Sequence, residues 1–134
     1  MANPNIVNVT SIYGNTAYVI PSGTSATTSW TYNGTTSLTG LTPAANTVNR
    51  VTSIVVSNTT ASAVNATVAI GNNATFGSAT VVSYFAYQIS VPANASLIVV
   101  DKTTSFYVTE NQSVGVTSGT GSALTYTATF EAIT

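Results

Sequence analysis

The chain contains no cysteine and no histidine, and only Arg50, Asp101, Lys102, Glu110 and Glu131 of its 134 residues carry a charge. Without cysteine there can be no disulfide and no thiolate metal site, and thiol usage says nothing about compartment. Without histidine, a Ser–His or Cys–His nucleophile cannot be assembled and no imidazole ligand exists. Two basic residues cannot neutralise a phosphate backbone, which takes a patch of Lys and Arg. No phosphate-cradling glycine loop is present, the glycines lying singly in turns. No apolar run approaches the roughly 20 residues needed to span a bilayer. The start, MANPNIVNVT, lacks a basic segment followed by a continuous apolar one, so no secretory signal is expected. The protein is expected to begin near Met1 and to stay soluble where it is made.

What remains is apolar and hydroxyl-rich. Hydrophobic residues make up 44% and charged residues 4%, against roughly a quarter charged in an ordinary soluble protein. Disorder goes with low hydrophobicity and high net charge, so this chain is expected to fold, and its length suits one domain. Solubility falls to Ser, Thr and Asn, because a net charge of −1 gives little repulsion between copies. Such a surface tolerates close packing against copies of itself.

Leucine occurs four times, against 17 valines and 26 threonines, a bias away from helix and toward strand. The pattern agrees. Leu124, Tyr126, Ala128, Phe130 and Ala132 alternate with Thr125, Thr127, Thr129 and Glu131. Val64, Ala66, Val68 and Ile70 alternate in the same way, and Phe85, Tyr87, Ile89 and Val91 read as one face of another strand. Turn residues separate the runs and predict strands near 5–13, 17–20, 29–33, 48–57, 64–70, 82–91, 96–101, 105–109, 112–117 and 124–132. Many short strands with regular turns predict a single-domain antiparallel β-sandwich, jelly-roll or Ig-like. Residues 34–46 (GTTSLTGLTPAAN) read as a long loop. Residues 1–16 form an N-terminal arm or an edge strand, and 17–134 the sandwich domain. The charges punctuate it: Leu97–Val100 reads as a buried strand, Asp101 and Lys102 mark its exit, Glu110 lies in a turn, and Glu131 points outward beside Phe130.

Few residues offer chemistry. Asp101 and Glu110 are the nearest thing to a glycosidase pair, and with the Asn111 carbonyl they form the nearest thing to a calcium site; solvation of two turns explains both acids more simply. Trp30 and Tyr32 fall on one face of a strand, as a sugar-stacking platform requires and as core packing also produces. The Thr125, Thr127, Thr129 row resembles an ice-binding array and equally the outer face of any strand. Seven Asn-x-Ser/Thr sequons begin at Asn8, Asn33, Asn58, Asn65, Asn73, Asn94 and Asn111, and carry no weight without a secretory signal. No catalytic, cofactor-binding or metal residue is assigned.

The segments NRVTSIVVSNTTASAVNATVAI and VPANASLIVVDKTTSFYVTENQSVGVTSGTGSALTYTATFEAIT resemble small β-rich virion proteins of tailed bacteriophages. The likeness lies in a strand like SIVVSNTT, a VPANASL turn, an acidic turn and a final aromatic strand. The opening NPNIVNVTSIYGNTA is similar to the starts of structural proteins in phages of marine cyanobacteria. Relatives often carry Gly-Asp after the acidic residue, where this chain has Asn111-Gln112. The resemblance implies a virion component without an active site or cofactor, most simply a head decoration (cement) protein on the capsid surface, made in the host cytoplasm. Its partners would be the major capsid protein and copies of itself, as a homo-oligomer such as a trimer, with neither nucleic acid nor membrane. The alternatives are a tail, neck or fibre component of the virion, and a carbohydrate-binding module using Trp30 and Tyr32.

Overall fold

A computed structural model describes residues 8–32, 34, 36–74, 76 and 81–134. The first seven residues of the expected arm, and the sequon asparagine Asn33, lie outside them. Among the described residues ten strands follow one another: β1 Ile12–Val19, β2 Ser29–Tyr32, β3 Thr36–Thr39, β4 Val48–Asn58, β5 Val64–Gly71, β6 Val81–Val91, β7 Ser96–Val100, β8 Phe106–Val108, β9 Ser113–Ser118 and β10 Leu124–Ile133. A 3₁₀ turn at Lys102–Thr104 joins β7 to β8. The larger sheet runs β3-β2-β1-β10-β4, with β7 and β8 sharing the far side of β4; the smaller runs β6-β5-β9. Every pairing is antiparallel. The two sheets pack face to face as an all-β, single-domain sandwich.

The threonine-spaced alternation of β10 does what its period requires. Leu124, Tyr126, Ala128 and Phe130 are buried between the sheets, while Thr125, Thr127, Thr129 and Glu131 face out. From β4 come Val51, Ile54 and Val56, and from the smaller sheet Ala66, Val68, Val114 and Val116, all wholly buried. Each large aliphatic side chain so placed contributes about 1.5–3 kcal/mol.

Where the strands depart from strict alternation, bulges are the cause. In β4, Ser53 opposes Thr129 and Val51 opposes Phe130, leaving Thr52 as an extra residue. Asn49 and Val51 point inward before it, and Ile54, Val56 and Asn58 after it, so the bulge resets the phase. Leu97–Val100 is not uniformly buried as expected: Val99 is the extra residue against β4, and Ile98 is turned out to 66% exposure. Nor do Phe85, Tyr87, Ile89 and Val91 share a face. β6 meets β5 through three register irregularities, so Phe85 and Val91 turn to the core while Tyr87 and Ile89 lie exposed. Phe85 stacks on Phe106 at 4.2 Å between centroids.

Two further expectations are corrected. The stretch read as a long loop contains β3, whose TSLT sequence turns only Leu38 toward the core and pairs with β2 as a hairpin through Gly34 at φ 79°. Its weak apolar signal hid it. The two strands expected at 5–13 and 17–20 are, within the described residues, one strand through Gly14. The Ile12–Thr16 half of β1 is paired with β10, and its other edge carries no strand partner among the described residues.

The corners are held by side chains. Asn58 is 3% exposed where β4 leaves the larger sheet. Its Nδ2 donates to the carbonyls of Ser62, Val91 and Pro92 at 2.8, 3.0 and 3.2 Å, and its Oδ1 accepts from the Thr60 N–H. It therefore ties the crossover into β5 to the crossover out of β6. The latter turns as its Pro92 requires, with Asn94 at φ 54°, a left-handed value that asparagine tolerates.

Candidate functional site

The sequence-nominated residues disperse. Trp30 is wholly buried, its indole Nε1 donating to the Val114 carbonyl at 3.2 Å, and Tyr32 is half-buried, edge-on to Phe130 at 6.3 Å. A sugar-stacking platform built on Trp30 is therefore ruled out: the pair faces the core because β2 presents Trp30 and Tyr32 inward and Ser29 and Thr31 outward.

Asp101 and Glu110 sit in separate turns, each with its own backbone partners. The Asp101 Oδ1 caps the 3₁₀ turn, accepting from the Thr103 hydroxyl and the N–H groups of Thr103 and Thr104 at 2.6, 2.9 and 3.2 Å. The Thr103 hydroxyl, then these N–H groups, hold its carboxyl below the usual 3.8. The Glu110 Oε1 accepts from the Asn46 N–H at 2.6 Å. No cluster of three metal-ligating side chains occurs among the described residues. The Thr125, Thr127, Thr129 row does not extend into a threonine grid, since Thr127 lies between Tyr18 and Val55 in register.

What the fold does assemble is the outer face of the larger sheet. One cross-strand row reads Ser37, Thr31, Tyr18, Thr127, Val55 and Ile98. Another brings Glu131 opposite Arg50, with Tyr107 beyond. Arg50 and Glu131 pair at 3.7 Å. Between the rows lies an open depression of about 380 Å³, walled by Val55 and Ile98 and edged by Arg50, Asp101, Lys102 and Glu131. Four of the five charged side chains, far apart in sequence, thus meet on one face. Tyr18, Ile98 and Tyr107 are 44, 66 and 46% exposed beside them.

Sequence reasoning placed Asp101, Lys102 and Glu131 at strand ends and on outward positions, and missed that they converge. The convergence depends on β10, β4 and the β7–β8 link being neighbours, which pairing order decides. Sequence reasoning read Asn58-Thr59-Thr60 as a turn, but not that the Asn58 amide is buried there and ties two crossovers together.

No family model matches the chain, and comparison with curated proteins and with solved structures returns no match. Fold and surface together define a small all-β sandwich whose larger outer face combines hydroxyls, exposed apolar side chains and a cluster of charges.

Proposed function

We propose that this chain is a structural protein of a bacteriophage virion, a head decoration protein that binds the assembled capsid and packs beside copies of itself. The observation that carries the proposal is the outer face of the larger sheet. Exposed Tyr18, Ile98 and Tyr107 lie there among hydroxyl side chains, beside a depression edged by four of the five charged residues. Exposed apolar side chains grouped on a sheet face mark a protein contact surface, and the charge cluster gives such a contact a fixed orientation. The edge of β1 at Ile12–Thr16, which has no strand partner among the described residues, offers a neighbouring copy main-chain hydrogen bonds. The sequence resemblance to phage virion proteins points the same way.

Gold-conjugated antibodies against the chain, applied to intact particles of its phage and viewed by electron microscopy, test this. Label over heads is the expected result. Label on tails would transfer the protein to the tail, neck or fibre, and no label on any particle would overturn a virion role.

A further inference from the structure

The smaller sheet has an outer face of different chemistry, and it forms a groove. Its floor is made of small side chains: Thr67 and Ala69 on β5 stand in register with Thr117 and Gly115 on β9. Gly115 is required there, because a Cβ would lie 2.7 Å from the Phe76 ring that covers this end of the floor. One wall is β6, with Tyr84 and Tyr87 50 and 58% exposed and their rings edge-to-face at 4.8 Å. The other wall is the segment before β2, clamped to β9 by the reciprocal Thr27–Val116 hydrogen bonds of 2.8 and 3.0 Å. Two adjoining hollows of about 220 and 230 Å³ share Thr67, Thr117 and Gln88, one aromatic-walled and one lined by Asn65, Thr24 and Ser118.

Gln88 is the odd residue. It is a non-glycine with φ 49° inside a strand, a conformation that costs energy and collects at ligand sites. Tyr87 and Gln88 together oppose Thr67 at a β-bulge, and the Thr67 hydroxyl holds the Gln88 N–H at 3.0 Å. The bulge sets an aromatic ring and an amide side by side on the groove wall.

We infer that this groove binds a neutral saccharide. A pyranose presents an apolar C–H face, which stacks on an aromatic ring, and a rim of hydroxyls, which pair with amide and hydroxyl side chains. The groove offers both at adjoining positions. None of the five charged residues lines it, so it has nothing to pair with phosphate, sulfate or carboxylate. A peptide added as a strand fits less well, because the three irregularities of β6 distort the edge such a strand would need. The inference stands independently of the virion proposal.

The test is saturation-transfer NMR and titration calorimetry on the whole chain, with maltohexaose, cellohexaose, a mannan hexasaccharide and heparin hexasaccharide as probes. Saturable binding to at least one neutral hexasaccharide is expected, lost by tenfold or more in Tyr87→Ala with the melting temperature held. Gln88→Gly is the second variant: glycine is at ease at φ 49°, so its melting temperature should stay level or rise while affinity falls at least threefold. Absence of binding to every neutral probe, preference for heparin, or binding indifferent to both variants would each overturn the inference. So would concentration-dependent self-association that Tyr87→Ala abolishes, which would assign the groove to a second copy.

Discussion

Tyr126 of β10 donates its phenol hydrogen to the Thr117 carbonyl of β9 at 2.6 Å, joining the larger sheet to the smaller through the core. Trp30 does the same to Val114. The carbonyl of Val116 is taken by the Thr27 N–H, and the N–H of Val114 donates to the Gly40 carbonyl. The free edge of β9 is thereby covered, as an edge strand must be to avoid pairing with another chain.

Burial pushes the Tyr126 phenol pKa up from its ordinary 10.0, and this makes stability depend on alkaline pH. In the unfolded chain the phenol ionises first, so rising pH favours the unfolded state. The contribution is fully present below pH 10 and is lost progressively above it. Tyr126→Phe should cost about 1 kcal/mol at pH 7 through the lost hydrogen bond. It should also flatten the decline above pH 10 relative to wild type in urea melts at stepped pH. Equal slopes for both proteins would refute the coupling.

Trp30 is the chain's single tryptophan, which makes its burial easy to check. Native fluorescence should be blue-shifted and resist acrylamide quenching, with both properties lost in denaturant. Trp30→Ala should cost about 3–5 kcal/mol, as large-to-small changes of core aromatics do. A surface tryptophan would give a red emission and a cost below roughly 0.5 kcal/mol.

At the Asn58 corner, the charge of the substitute decides the outcome. Asn58→Ala removes the donors to Ser62, Val91 and Pro92 and should cost about 2–4 kcal/mol. Asn58→Asp keeps the shape but sets a carboxylate against three carbonyl oxygens, so it should be the worse of the two at pH 7 and recover partly as the acid is protonated. Urea denaturation of both variants at pH 4 and 7 measures this, and an aspartate milder than alanine at pH 7 would count against the network.

The strands with a clear period were legible from sequence: β10 and β5 each carry apolar residues at alternate positions, and a pleated strand has few other ways to bury them. Phe85–Val91 was misread because a bulge costs one residue of phase and leaves no mark in composition. β3 escaped because its sole inward residue is Leu38. Trp30 and Tyr32 showed that a shared face can be read from spacing, while which side is solvent cannot. The charge cluster and the Tyr84–Tyr87 wall depend on strand order and bulges, neither of which a single strand's pattern encodes.

Asp101 gives an acid-side counterpart to Tyr126. Its carboxylate is favoured in the folded state by the Thr103 hydroxyl and the capped N–H groups, so its pKa lies below the usual 3.8. The stabilisation is present above the unfolded value and fades as pH falls through the folded one. Carboxyl carbon shifts followed by NMR from pH 6 to 2 should place Asp101 below the usual 3.8. Thr103→Val, which deletes the hydroxyl donor, should move it back up. A midpoint unmoved by that change would show that the hydroxyl is not the main cause.

Ile98 separates folding from docking on the larger sheet. At 66% exposure on the outer face it makes little contribution to the core, and Ile98→Lys should change stability by no more than roughly 0.5 kcal/mol. If the face seats a partner, the same change places an unpaired ammonium in an apolar contact beside the Arg50–Glu131 pair, and capsid attachment should fall at least tenfold. Arg50→Gln with Glu131→Gln is the matching control. That exposed pair contributes only about 0–1 kcal/mol, so removing both charges should weaken attachment far less, and binding should vary little with salt between low and moderate ionic strength. Sedimentation of the variants with empty capsids measures both. An Ile98→Lys protein that cosediments like wild type would show that the contact lies elsewhere, while strong salt dependence would shift its basis from apolar packing to the charge cluster.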